Sequence, residues 1–377
     1  MKFKIENNIV RKYLWIVLFI TNILAIILLL ASTQAWNFLP SKAPAIAFLG
    51  MAFPVLFVIN ILYLIFWLFT LKWAYIGVQL VVLMLCWSPL HTYMPVNSPS
   101  DYIPEESFKV LSYNVRHFNW TVGKAARENP IFDYILEQNP DVICMQEFGA
   151  AKKKTAKGLI SKGEIDQKFK DYPYKELVIL GNPNAPSLYG LAIYSKFPIQ
   201  RTGKLPIYST YNGCAVHELI IKGKKVTLFN THLESNRITS DDKKLYADFL
   251  KSDKDIKLKD VTSNIKSKLS LAFSVREDQT HIIRSHVDKV SKDSHATIIC
   301  GDFNDTPISY TYQSMKGDLI DSFVSTGRGL GITYHENMFL FRIDYIFHSI
   351  RLQAYNATVG DQKYSDHYPI WTNLMFK

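Results

Sequence analysis

The chain has 377 residues, with 43 Lys and Arg against 33 Asp and Glu and a formal net charge of +10. That length suggests two or three domains. The four cysteines are too few for a disulfide framework, and no CxxC or Cys/His cluster suggests zinc. The basic balance admits anionic partners such as nucleic acid, acidic lipid or a phosphorylated substrate, and equally a lysine-rich solvated face, so charge alone selects no substrate.

Apolar residues crowd the positions before Ser88, and charge dominates after it. The chain therefore reads as a membrane anchor over 1–92, a linker over 93–107 and a soluble domain over 108–377. Tyr13 to Ala31 is an uncharged apolar run. At about 1.5 Å per residue it can cross a hydrocarbon core of about 30 Å. Ala45 to Phe69, with Pro54 inside it, and Trp73 to Trp87 read as two further spans, with Trp and Tyr near several ends as interfacial anchors. A cleaved signal peptide fits the first run poorly: the run exceeds an h-region, lacks a small-residue cleavage site and is followed by two more.

Lys2, Lys4, Arg11 and Lys12 precede the first run and Lys72 lies between the second and third, whereas the first connection holds only Lys42. Positive-inside then places the N-terminus in the cytoplasm, and three crossings place the C-terminal domain on the outer side. Without the third crossing that domain would be cytoplasmic. The protein is expected to be a multi-pass integral membrane protein with the bilayer as a partner. Ser88 to Glu106, rich in Pro, Ser and acidic residues, reads as a linker and not a packed element.

From Phe108 short strand-like runs recur, several ending in polar clusters. Lys109 to Tyr113 ends at Asn114, and Asp141 to Met145 at Gln146-Glu147. Leu191 to Tyr194 follows. Val226 to Phe229 ends at Asn230-Thr231-His232, and Thr297 to Cys300 at Gly301-Asp302-Phe303-Asn304-Asp305. Ile343 to Phe347 contains Asp344, and Ser365-Asp366-His367 precedes Tyr368-Pro369-Ile370. A single Asp or Asn after a strand is usually a turn residue. Strand neighbours would bring this set together, and the set has what metal-assisted phosphate hydrolysis requires. Carboxylates hold a hard cation, a His stabilises phosphoryl charge, an Asp fixes its tautomer and an Asn orients water or donates to an oxyanion.

In the order LSYNVR, MQEF, YGLAIYSK, NTHLES, GDFND, RIDYIF and SDHYPI, these segments resemble the endonuclease/exonuclease/phosphatase superfamily over Lys109 to Leu374. The resemblance implies a four-layer α/β sandwich, two mostly antiparallel sheets packed together with helices outside, and a phosphodiesterase using Mg²⁺ or Mn²⁺. It implies that Glu147 is the principal metal ligand with Asn114 beside it. Asp302 would activate water and Asn304 contact the scissile phosphate. His367 would stabilise the transition state, held by Asp366. His232 would act from across the phosphate, supported by Asn230. Asp344 would orient a histidine or approach the metal, and Tyr189 would contact phosphate. His117 and Asn119 read equally as cleft-lining or surface-loop residues, and Asp305 as a turn or cap.

Between His232 and Asp302, helix-like stretches cover Leu245 to Leu258 and Val275 to Val290, with Arg276 and Gln279 on the second. Lys243, Lys244, Lys251, Lys254, Lys257 and Lys259 are interspersed with acids. They suit a solvated helix face, contact with anionic lipid headgroups or a strip guiding nucleic acid. Three functions remain open: a lipid or small-molecule phosphodiesterase at the membrane, an anchored nuclease, and a receptor or scaffold that binds phosphate ligands without hydrolysis.

Overall fold

The computed structural model describes residues 2–236, 258–336 and 340–377. The helix expected over Leu245 to Leu258 lies outside the described residues apart from Leu258. The chain forms two compact units, one of Met1–Thr92 with Ile308–Tyr310 and one of Tyr93–Pro307 with Thr311–Lys377.

In the first unit, Lys2–Ser32 is one helix, and its stretch Val10–Ser32 is by itself long and apolar enough to cross a membrane. The second and third apolar runs are bent pairs, Pro44–Met51 with Phe53–Phe69 at 62° and Trp73–Leu85 with Trp87–Tyr93 at 56°. The chain thus carries one such helix, or up to three spans if each bent pair is one. A proline follows each break. Pro54 and Pro89 lack the N–H that would bond back one turn, and in a continuous helix their rings would clash with the carbonyls of Gly50 and Leu85.

The three runs are tied by buried amides. Asn22 donates to Gln79 Oε1 (3.3 Å), and Gln79 donates to Asn60 Oδ1 (2.7 Å). Asn60 donates to the Ala25 carbonyl (3.1 Å), and Trp67 Nε1 donates to Asn22 Oδ1 (2.9 Å). An amide facing hydrocarbon would be costly, so this closed set favours the runs packing together.

The second unit is the expected α/β sandwich of two six-stranded sheets. One has the order β11-β12-β1-β2-β4-β3 and the other β5-β6-β7-β8-β10-β9. The first four strands are β1 (Phe108–Asn114), β2 (Val142–Ala151), β3 (Tyr174–Ile179) and β4 (Ser187–Ser195). Then come β5 (Ile199–Lys204), β6 (Gly213–Ile221), β7 (Lys224–His232) and β8 (Ala296–Asp302). The last are β9 (Ile320–Asp321), β10 (Asp344–His348), β11 (Leu352–Val359) and β12 (Ile370–Phe376).

Strand alternation builds the layers. Val110, Cys144, Leu228, Ile298 and Cys300 face the space between the sheets. Their neighbours Leu111 and Ile143 meet Phe132, Ile135 and Phe169 on one outer face, and Phe229 and Ile299 meet Ile283, Val287 and Tyr312 on the other. Both faces of the central strands are buried, so those strands read as continuous apolar runs and not as alternating ones. Each sheet has one parallel pair, β1 with β2 and β7 with β8, flanked by antiparallel neighbours. Parallel strands end on the same rim, which brings the polar endings of all four together.

Two expectations change. The helix expected from Val275 is the end of a longer one, Leu258–Val290. The segment expected as a free linker is seated on the domain. Asn97 Nδ2 donates to the carbonyls of Val324 (3.0 Å) and Gly327 (2.8 Å), and Ser100 exchanges hydrogen bonds with the Asn356 amide. Composition signals a lack of apolar packing but is blind to side chains that bond to distant carbonyls.

Gly301 lies where β8 closes on β7, with φ +135° and room for no side chain: a Cβ would sit 1.9 Å from the Thr231 carbonyl oxygen. Gly301→Ala combines a strained backbone with a backbone clash next to Asp302. It is expected to cost about 3 kcal/mol or more, read as a lowered urea midpoint.

Candidate active site

Asp302 is the hub. It ends β8 in register with His232 at the end of β7 and with Asp344 at the start of β10. Three groups converge on its Oδ2: Asn114 Nδ2 at 3.0 Å, His367 Nε2 at 3.6 Å and His232 Nε2 at 3.7 Å. Its Oδ1 accepts the Asn304 backbone N–H at 2.8 Å. Asn114 Nδ2 also reaches Glu147 Oε1 at 3.2 Å, while its Oδ1 accepts the Arg116 N–H.

Glu147 reaches the rim through a bulge. Between Met145 and Phe148 the pairing with β4 shifts, so that Gln146 and Glu147 together stand opposite Leu191. A bulge re-aims side chains. Gln146 turns inward to bond Asn230 Oδ1 (2.7 Å), and Glu147, at φ 49°, points into the cleft. Asn304 is also left-handed, at φ 53°, a conformation Asn tolerates better than most residues.

Beyond Asn114 the chain makes a left-handed turn, with all five residues from Arg116 to Trp120 at φ between 44° and 55°. Each such L-residue costs roughly 1–2 kcal/mol relative to the right-handed form. The turn aims Arg116 at Glu336 (3.0 Å) and Asp366 (3.5 Å). It stacks His117 between Trp120 (3.8 Å between ring centroids) and Tyr189 (4.9 Å). Gly149 clears the space for that ring, since a Cβ there would lie 2.2 Å from His117 Cδ2.

Asn114, Glu147, His232, Asp302, Asp344 and His367 are therefore brought together, with Asn304 at their edge. Three assignments change. His367 Nδ1 pairs with Asp344 Oδ2 at 2.8 Å, whereas Asp366 turns to Arg116; Asp344 holds the histidine, because β10 starts beside it. Asn230 is fully buried and does not reach the cleft. It ties the sheets together, accepting from Gln146 and donating to the Ala192 carbonyl (3.0 Å). Tyr189 donates its hydroxyl to the Tyr211 carbonyl (2.9 Å) and lines a groove beside Glu147. Asn119 is exposed and His117 lies 3.9 Å from Glu147, which separates the two alternatives open for them. Asp305 caps its own loop and pairs with the buried Arg276 at 3.3 Å. Arg116 and Gln146 lay inside recognised motifs, but only the turn and the bulge gave them roles.

The residues fit a divalent cation. Carboxylate oxygens of Glu147 and Asp302 converge on one amide nitrogen, Asp344 Oδ1 and His232 Nε2 are buried without a hydrogen-bond partner, and hard oxygen donors predominate. Donor atoms of Asp302, Asp344 and His367 also lie within 4.8 Å of one another.

The profile of the Endonuclease/Exonuclease/phosphatase family matches residues 111–367, and that of a domain of unknown function, DUF8431, matches residues 14–93. No curated protein matches the chain. Among solved structures, an endonuclease/exonuclease/phosphatase from Beutenbergia cavernae is 14% identical with a TM-score of 0.51, and the match covers 72% of each chain. Truncated Caenorhabditis elegans TDP2 is 16% identical (TM-score 0.48; 71% of this chain, 97% of that one). The mannosyl-6-phosphatase Bt3783 of Bacteroides thetaiotaomicron is also 16% identical (TM-score 0.47; 72% and 100%).

Burial sets the protonation states. It raises the Asp302 carboxyl to about 6, helped by the Asp344 charge, and it also raises Glu147. It lowers His232, and it lowers His117 to about 4. Burial alone would lower His367 too, but the charges of Asp344 and Asp302 outweigh it and raise the imidazole to about 10. A histidine raised in the fold lends stability that is complete below its ordinary value of 6.5 and lost as pH climbs through 10. Asp344→Asn removes the charge that raises His367 most. In metal-free protein, the stability advantage of the parent over this variant should therefore shrink by more than half between pH 7 and pH 10, measured by urea unfolding at each pH.

Proposed function

Because the chain belongs to the endonuclease/exonuclease/phosphatase family, we propose that it is a membrane-anchored hydrolase of phosphoester bonds, dependent on Mg²⁺ or Mn²⁺, in which water attacks phosphorus. The observation that carries this reading is the convergence of Asn114, His232 and His367 on one oxygen of Asp302, with Asp344 behind His367. A purely phosphate-binding scaffold has no use for a carboxylate held ready to take a proton.

Glu147, with Asn114 beside it, would hold the cation, which would supply Lewis-acid neutralisation of the phosphoryl oxygens. Asp302 accepts the proton of the attacking water, its affinity raised toward neutrality by burial. His367, kept protonated by Asp344, donates from Nε2 to the charge that builds on a phosphoryl oxygen. His232, kept neutral by burial, offers Nε2 from the other side. Asn304 donates one amide hydrogen to the Leu233 carbonyl (3.0 Å) and can offer the other to the phosphate. The pair of His367 and Asp302 makes phosphorus, with oxygens to protonate and a water to activate, the fitting electrophile.

The anchor is read as three spans with the N-terminus in the cytoplasm and the hydrolase outside. The Lys and Arg placement and the buried amides linking all three runs support this. The partners are the bilayer and an anionic phosphoester from nucleic acid, a lipid headgroup or a small molecule.

With the purified full chain in detergent, hydrolysis of bis-p-nitrophenyl phosphate should stop with EDTA and return with Mg²⁺ or Mn²⁺. Glu147→Ala or His367→Ala should lower kcat by about a thousandfold while leaving the circular dichroism spectrum intact. Activity that survives EDTA or both substitutions would sink the assignment. Alkaline phosphatase fused after Lys377 should be active in intact cells, and an inactive fusion that is stably expressed would reverse the orientation.

A further inference from the structure

His117 has no part in the chemistry assigned to Asp302 and His367, yet the fold holds it in one orientation. Its imidazole lies between the Trp120 and Tyr189 rings and nearly parallel to both, at 15° and 21°. Trp120 turns onto it because the backbone from Arg116 to Trp120 is left-handed throughout. The Tyr189 hydroxyl donates to the Tyr211 carbonyl at 2.9 Å, which fixes the other plate. Gly149 leaves the space that the ring occupies. Left-handed residues other than glycine persist only where the surrounding structure enforces them, and they gather at ligand sites. With both faces covered, the ring can interact only through its edge, and Nδ1 on that edge lies toward Glu147.

That nitrogen is buried without a hydrogen-bond partner and stands 3.9 Å from Glu147 Oε2. The distance is too long for an Nδ1–H that donates to the carboxylate. Nor do the two form an ion pair, because burial and the neighbouring His232 lower the imidazole to about 4 and keep it neutral at neutral pH. A neutral imidazole with its proton on Nε2 presents a lone pair at Nδ1. A lone pair facing a carboxylate oxygen, with both side chains largely shielded from water, asks for a cation between them. The kind of cation follows from the donors. Mg²⁺ is a hard ion that takes oxygen ligands and keeps its waters, whereas first-row transition ions accept imidazole nitrogen beside carboxylate oxygen.

We infer that His117 Nδ1 is a ligand of the cation held by Glu147, so that the site selects a first-row transition ion such as Mn²⁺ over Mg²⁺. The inference rests on the hydrolase reading and deepens it by naming the ion. Trp120 and Tyr189 are then positioning residues, which hold the imidazole with its nitrogen aimed at the carboxylate. The left-handed turn after Asn114 delivers that ligand.

The test uses the full chain in detergent, purified without a histidine tag and stripped with EDTA. Mn²⁺ binding is followed by electron paramagnetic resonance with Mg²⁺ as competitor, and hydrolysis of bis-p-nitrophenyl phosphate is measured alongside. Mn²⁺ should bind about tenfold or more tighter than Mg²⁺, and pulsed spectra of the Mn²⁺ protein should show the modulation of a directly bound imidazole nitrogen. His117→Phe keeps a ring in the stack and removes the nitrogen. It should weaken Mn²⁺ by about tenfold or more, change Mg²⁺ affinity by less than about threefold and abolish the nitrogen modulation. The spectrum of the parent protein decides the matter even if that variant fails to fold. Bound Mn²⁺ without nitrogen modulation, as a water bridging His117 and Glu147 would give, overturns the inference. So does equal affinity for the two ions, or a nitrogen signal that persists in folded His117→Phe and thus belongs to another histidine. In each of these cases hydrolysis that returns with either ion leaves the hydrolase standing. Failure to bind either ion, with no hydrolysis, would overturn both.

Discussion

The site is organised around two carboxylates that should repel each other. Asp302 and Asp344 are in register on adjacent strands, and both are buried. Neighbouring buried anions are tolerated only when compensated by a cation or by protonation. His367 supplies the first at 2.8 Å from Asp344, and the raised affinity of Asp302 for a proton expresses the second. Much of the remaining geometry serves that compensation. Asn114 bridges Asp302 to Glu147, His232 closes the side opposite, and the stretch before β12 delivers His367 across the gap.

Holding these groups costs backbone strain, and the strain is concentrated at the site. Glu147, Asn304 and the run from Arg116 to Trp120 all occupy left-handed conformations. A bulge sends Glu147 outward and Gln146 inward, so one local irregularity provides both a carboxylate in the cleft and a tie between the sheets. The amides of Asn230 and Gln146 show the same economy: buried between the layers, they fix the distance across which β2 and β7 present their ends. Placement of active groups on packed strands, with irregular backbone only at the tips, keeps their geometry tight.

The N-terminal unit follows a different rule. Its apolar runs were legible because length and hydrophobicity are properties that composition records. Their shape was not. The breaks near Ala52 and Cys86 lie beside prolines visible in the chain, whereas the angles of 62° and 56° are seen only in the structure. Asn22, Asn60 and Gln79 lie far apart in the chain, and they form a single network because the helices meet.

The amino-acid sequence by itself determined the division into an apolar N-terminal part and a mixed domain, the strand order of polar endings and, through seven ordered motifs, the family and the candidate residues Asn114, Glu147, His232, Asp302, Asn304, Asp344 and His367, which the fold brings together. These are local properties, written in the spacing of apolar runs and the residues that end them. Only the tertiary structure decided that Asp344 and not Asp366 holds His367, that Asn230 serves the core, that the segment expected as a linker is seated on the domain and that Tyr189 lines a groove beside Glu147. Each depends on which segments meet across the fold and on which way a bulge or a left-handed turn aims a side chain, and no short stretch of sequence carries that information.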